Sequence, residues 1–140
     1  MQILQERCEA TVKFIWLFND VFDILNSRNL LSKEFKSPIK ESNSDKIFAR
    51  LTSLKSFVDN LKSKDGLSIL QSKRKTGFLG MVVAGASVCA LFRDLRGSEK
   101  IEFLLTYKLS QDHLESFFSA IRSKGGFNNN LTTIQFRAAY

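Results

Sequence analysis

Leu109 to Asn130 reads LSQDHLESFFSAIRSKGGFNNN, and its spacing fixes a helix with two dissimilar faces. Ser110 is placed to cap the helix, and Leu114, Phe117, Phe118 and Ile121 recur at intervals of one helical turn. Gly125 and Gly126 supply residues that tolerate positive φ where helices end. On the other face Asp112, Glu115, Ser119 and Arg122 follow at i+3, i+4 and i+3, so their side chains form one stripe. Carboxylates in a first turn and a cation in a last turn complement the helix dipole by roughly 0.3–1 kcal/mol each, which by itself accounts for such a stripe as a solvated face.

Working outward, Thr132 and Gln135 have the T-x-x-Q spacing of a capping box and predict a last helix, still unfinished at Tyr140, as expected of a truncated sequence. Glu102–Lys108 predicts a short extended entry into the Leu109–Asn130 segment. Further back, residues 2–26 predict a long helix with Phe14, Leu17, Phe18, Val21, Phe22 and Leu25 on its apolar stripe. Residues 27–43, polar and containing Pro38, predict a loop. From 44 to 64 the apolar residues Ile47, Leu51, Leu54, Val58 and Leu61 alternate at four and three, the spacing of a helix packed along another helix, and Phe48 and Phe57 widen that seam. Residues 76–95 predict a third long helix, uncharged from Thr76 to Phe92. That run holds three glycines and sits at the lower limit for crossing a bilayer, so a helix buried among others is expected in place of a membrane span. The expected core is Phe14, Phe18, Phe22, Leu51, Leu54, Phe78, Leu91 and Phe117.

Composition narrows the chemistry. The chain has 140 residues, 44% hydrophobic and 25% charged, with 13 Phe and a single Pro. This excludes general disorder and favours a mainly α protein over turn-rich β architecture. A net charge of +7 suits an anionic partner, although the bases are dispersed apart from Lys73, Arg74 and Lys75, and such a run reads first as a solvated face. Cys8 and Cys89 lack metal-knuckle spacing and read as reduced thiols. His113 is the one histidine, which excludes a multi-histidine zinc site. In GFLG the Lys75-Thr76 pair precedes the glycines, so no Walker-type phosphate loop is present.

The residues also resemble a family. The stretch from Leu105, LTYKLSQDHLESFFSAIRSKGGFNNN, is similar to the closing part of the transposase domain of P-element-type transposases, the group that includes animal THAP-domain transposases. FIWLFNDVFDILNSRN (Phe14 to Asn29) and SKRKTGFLG (Ser72 to Gly80) resemble the helical GTP-binding insertion that interrupts the RNase H-like fold in that family. The resemblance implies a helical bundle, part of the GTP-binding insertion domain, over residues 1–105. A C-terminal RNase H-like segment follows over 106–140.

The resemblance further implies that Glu115 matches the last of three acidic residues that hold Mg²⁺ ions for DNA strand exchange. Asp23 and Asn26 of FDILN, with Asp112, fall near the guanine nucleotide, where carboxylates accept the N–H donors of the base edge. GTP and Mg²⁺ are the implied cofactors, and DNA, a second copy or a full-length transposase are the implied partners, in the nucleus. The other two acids of the family lie on strands that precede the insertion, so the chain by itself is expected neither to cleave nor to join DNA. A helical protein-interaction module without nucleotide chemistry is the alternative expectation.

Overall fold

The computed structural model describes residues 2–124, 126, 130 and 132–139. Its helices are α1 (Gln2–Leu25), α2 (Glu41–Asn60), α3 (Lys75–Gly97), α4 (Asp112–Lys124) and α5 (Thr133–Ala139), with two short strands, β1 (Ile39–Lys40) and β2 (Phe103–Leu104). The chain divides into two compact units, Met1–Tyr107 and Lys108–Tyr140. The protein is mainly α, as its periodicity predicts.

In the first unit α1, α2 and α3 pack against one another. Each turns a stripe inward: Leu17, Val21 and Ile24 from α1, Ile47, Leu51, Leu54 and Val58 from α2, Val88 and Phe92 from α3. Burying a side chain of this size stabilises by about 1.5–3 kcal/mol, so these rows hold the bundle together. Gly85 sits where α3 lies close to α2, and a Cβ there would lie 3.2 Å from Leu51 Cδ2. A half-buried aromatic cluster spans the three helices. Phe18 lies with its centroid 4.4 Å from Phe14, 6.4 Å from Phe57 and 5.7 Å from Phe78. Asp20 of α1 and Arg50 of α2 form a partly shielded ion pair, with Arg50 Nε donating to Asp20 Oδ2 at 2.8 Å.

The span 27–43, expected to be a loop, is more ordered than its polar composition implies. It holds a 3₁₀ turn over Glu34–Lys36 and then β1, which pairs antiparallel with β2 (Ile39 opposite Leu104, Lys40 opposite Phe103). Ile39 and Leu104 both face the core, the alternation of a strand with one buried face. Helix α2 starts at Glu41, three residues before the expected position, because Asn43 fixes its entry: Asn43 Oδ1 accepts the Lys40 N–H at 2.8 Å and its Nδ2 donates to the Pro38 carbonyl at 3.0 Å. Apolar periodicity cannot register a start made by polar residues. The helix also ends at Asn60, ahead of the expected Lys64, since Lys62 bridges back to Ser68.

The expected core needs correction at two positions. Phe22 is 61% exposed and Phe117 is 40% exposed. Helix α1 is apolar on nearly every side, so the inward row is Leu17, Val21 and Ile24, and the opposite row of Val12, Ile15, Trp16 and Phe22 is exposed. Leu51 and Leu54 are buried, while Phe14, Phe18, Phe78 and Leu91 are half-buried. Among the described residues one helix, α3, is long and apolar enough to cross a membrane by length and composition.

In the second unit Asp112 and Glu115 occupy the first turn of α4, and Arg122 and Lys124 its last, as the dipole favours. Ser110 does not cap α4: the helix begins at Asp112, and the Ser110 hydroxyl is buried without a hydrogen-bond partner among the described residues. Gly126 is left-handed at φ 72°, as a helix-ending glycine should be, whereas Gly125, Asn128, Asn129 and Tyr140 lie outside the described residues. The expected capping box is present: Thr132 N–H donates to Gln135 Oε1 at 3.0 Å and Gln135 N–H to Thr132 Oγ1 at 3.3 Å.

Candidate functional site

The four singled-out residues fall into two pairs, one in each unit. Asp23 and Asn26, three residues apart, occupy the end of α1. Asp23 is partly shielded; its Oδ2 accepts from Asn19 Nδ2 at 3.3 Å and lies 3.8 Å from Lys36 Nζ. Asn26 closes the helix, its backbone N–H reaching the Phe22 carbonyl at 3.1 Å and its Nδ2 the same carbonyl at 2.9 Å. These bonds use the donors of Asn26 and one oxygen of Asp23. Asn26 Oδ1 and Asp23 Oδ1 accept nothing among the described residues and are left as acceptors.

The end of α1 is held by a buried polar clamp. Ser27 N–H donates to Thr106 Oγ1 at 3.0 Å, the Thr106 hydroxyl donates in turn to the Ile24 carbonyl, Ser27 Oγ donates to the Lys36 carbonyl at 2.9 Å, and Tyr107 N–H reaches the Ser27 carbonyl at 3.2 Å. Ser27 and Thr106 are each 1% exposed. The Arg28 guanidinium covers the Tyr107 ring at 5.6 Å. Neither Ser27 nor Thr106 stood out in the sequence, because a polar pair so far apart in the chain leaves no local pattern.

Two acceptor oxygens beside the C-terminal end of a helix suit a ligand edge that donates hydrogen bonds. The helix dipole there is negative and disfavours phosphate. A guanine base presents such an edge through its N1–H and N2–H groups, and the residues therefore fit the base of GTP in preference to its triphosphate.

In the second unit the first turn of α4 carries Asp112 and Glu115, both exposed. Gln111 Nε2 donates to Glu115 Oε1 at 2.8 Å, which holds that carboxylate in place. Glu115, Ser119 and Arg122 also line a shallow, open concavity along the polar face of α4. Glu115 fits the role of a single oxygen ligand to Mg²⁺. Among the described residues no group of three or more His, Cys, Asp or Glu side chains is assembled to hold a metal ion, so a metal centre is not built by these residues alone.

Two family models match the chain. Residues 3–38 match the TNP-like GTP-binding insertion domain and residues 107–140 the TNP-like RNase H C-terminal domain. The human DNA transposase THAP9 is 34% identical over 137 residues, covering 96% of the chain and 15% of that protein. The Transposable element P transposase of Drosophila melanogaster is 29% identical over 135 residues, covering 94% of the chain and 17% of that protein. Among solved structures, a chain of the Drosophila P element transposase strand transfer complex superposes with a TM-score of 0.69 at 29% identity, over 93% of this chain and 28% of the other. The chain thus spans less than a fifth of the length of these curated relatives. The two matched segments and the similarity over nearly the whole chain agree, and it belongs to the P-element-type transposases.

Proposed function

We propose that the chain supplies part of a guanine-nucleotide site to a P-element-type transposase, with Asp23, Asn26 and Asp112 as ligands to the base and Glu115 as one carboxylate ligand to Mg²⁺ at the strand-transfer centre. On this reading residues 1–105 are the GTP-binding insertion part and 106–140 the RNase H-like part. The supporting observation is the pairing of two acceptor groups, Asp23 Oδ1 and Asn26 Oδ1, at the clamped end of α1, inside the segment that matches a GTP-binding domain. DNA is the substrate, the nucleus is the working compartment, and a second copy or a full-length transposase supplies the remaining metal ligands. The chain by itself neither cleaves nor joins DNA, because one carboxylate does not offset the mutual repulsion and dehydration of two Mg²⁺ ions.

Calorimetry with GTP and ATP tests the nucleotide site. GTP is expected to bind more tightly than ATP, since adenine presents no donor pair matching the two acceptors. Asp112→Ala is expected to lose roughly 10–150-fold in GTP affinity, the range for a charge-assisted hydrogen bond of about 1.5–3 kcal/mol. An Asp112→Ala protein that keeps its helical circular dichroism and binds GTP as the parent does overturns the assignment.

A second reading, a helical protein-interaction module, is supported by the outer row of α1, where Val12, Ile15, Trp16 and Phe22 are each about half exposed or more. Apolar residues on both sides of one helix suit a helix buried on both sides. A chain that binds neither nucleotide nor DNA would favour this reading.

A further inference from the structure

Between α2 and α3 the chain makes a tight hairpin. Ser63 N–H donates to the Leu67 carbonyl at 2.7 Å and Ile69 N–H to the Leu61 carbonyl at 2.8 Å, with Gly66 turning at φ 79°. A 3₁₀ turn over Ile69–Gln71 follows, and the Ser72 hydroxyl donates to the Ile69 carbonyl at 2.7 Å and accepts the Arg74 N–H at 3.1 Å. Both arms are therefore fixed by their backbones. They enclose a concavity of about 640 Å³ lined by Lys62 and Lys64 from one arm and Lys73 and Arg74 from the other, with Asp65 the one acid in its lining.

We propose that this concavity binds the phosphate backbone of a nucleic-acid strand. Four cationic residues line it, and none of them is in an ion pair among the described residues, whereas Lys36, Lys46, Arg50, Lys55 and Arg96 elsewhere in the same unit each face a carboxylate. Four like charges held close together repel one another, and a polyanion relieves that repulsion while releasing its own counterions. Two further features fit an anion. The hydroxyl of Ser63, in the same lining, is buried with no hydrogen-bond partner and is an unused donor. Helix α3 also opens beside it with no acid in its first turn, so its positive dipole end is not offset.

The lining selects among anions. Leu61, Leu67 and Ile69 contribute apolar surface next to the cations, with Leu67 55% exposed. A strand that carries phosphates at intervals and sugar or base faces between them uses both kinds of surface along the length of the concavity, while a free phosphate uses the cations alone. The site shares no residue with Asp23, Asn26, Asp112 or Glu115, and it stands whether or not the chain binds GTP.

The test is fluorescence anisotropy with a labelled oligonucleotide of about 20 nucleotides, single-stranded and duplex, titrated between roughly 50 and 200 mM salt. For single strands four phosphate contacts predict a log–log salt slope near −3, and Lys73→Glu with Arg74→Glu should weaken binding at least tenfold and flatten the slope by about 1.4. Lys62→Glu with Lys64→Glu should do the same and covers the case in which the first pair fails to fold, judged by circular dichroism. The control is Lys33→Glu with Lys100→Glu, which changes net charge equally at exposed sites elsewhere and should stay near the parent. Equal weakening by the control pair, no weakening by either concavity pair, or preferential binding of phosphatidylserine vesicles over DNA each overturns the proposal. Asp23→Ala should leave the DNA titration unchanged even where it removes GTP binding, so the two readings fail separately.

Discussion

Replacing Thr106 by Val keeps the shape of the side chain and removes its oxygen, leaving the buried Ser27 N–H and the Ile24 carbonyl without the partners they have in the clamp. Stranding buried polar groups costs about 1–3 kcal/mol, so Thr106→Val is expected to lower the free energy of unfolding by that amount, read as a lower urea midpoint at unchanged slope. An unchanged midpoint would show that the clamp contributes nothing. A second expectation concerns the thiols. Burial pushes the Cys89 thiol up, against a smaller downward pull from the Arg93 guanidinium, while Cys8 is exposed. Alkylation proceeds through the thiolate, so Cys8 should be modified first at mildly alkaline pH and Cys89 mainly on unfolding; equal rates would refute this. The stability Cys89 contributes is complete below the ordinary thiol value and is lost as pH rises through its raised value in the folded protein. At this scale Asp23, Asn26, Asp112 and Glu115 were singled out because each sits in a short local motif that carries the family resemblance. Ser27 and Thr106 were not, since tertiary contact alone gives them meaning.

The helices themselves were legible where their apolar spacing was regular, as with Ile47, Leu51, Leu54 and Val58 of α2, all of them buried. Spacing failed in two circumstances. In α1 apolar residues surround the axis, so nothing local ranks Val21 above Phe22 as the inward residue. At β1 two residues pair with a strand far along the chain, and a strand that short carries no readable alternation. The α2–α3 contact is close at Gly85, where a Cβ would come within 3.2 Å of Leu51 Cδ2. Gly85→Val therefore crowds the Leu51 side chain and is expected to destabilise by about 1–3 kcal/mol, the usual cost of overpacking. Thermal unfolding of the variant beside Ala86→Val, at a neighbouring exposed site of the same helix, separates crowding from the lower helix propensity of Val. Equal losses in the two would refute the tight approach.

At the scale of the whole molecule the two units differ in how much they bury. The first has a continuous core drawn from three helices and both strands, whereas in the second Ile121 is the one large apolar residue buried among those described, and Leu114, Phe117, Phe118 and Ile134 are exposed. Segments under about 40 residues seldom hold a fold on their own core, and the sparse burial of α4 and α5 agrees. The clamp also has a mechanical meaning. Ser27 and Thr106 are 79 residues apart in sequence yet directly bonded, so α2 and α3 hang as a closed loop between two joined points. Tension applied to α1 and to Tyr107 passes across the joint and spares the loop until the joint breaks. Rupture then frees 79 residues at about 3.5 Å each, so an optical-tweezers trace should lengthen by roughly 28 nm in one step. A trace that lengthens gradually would mean that the helices share the load from the start.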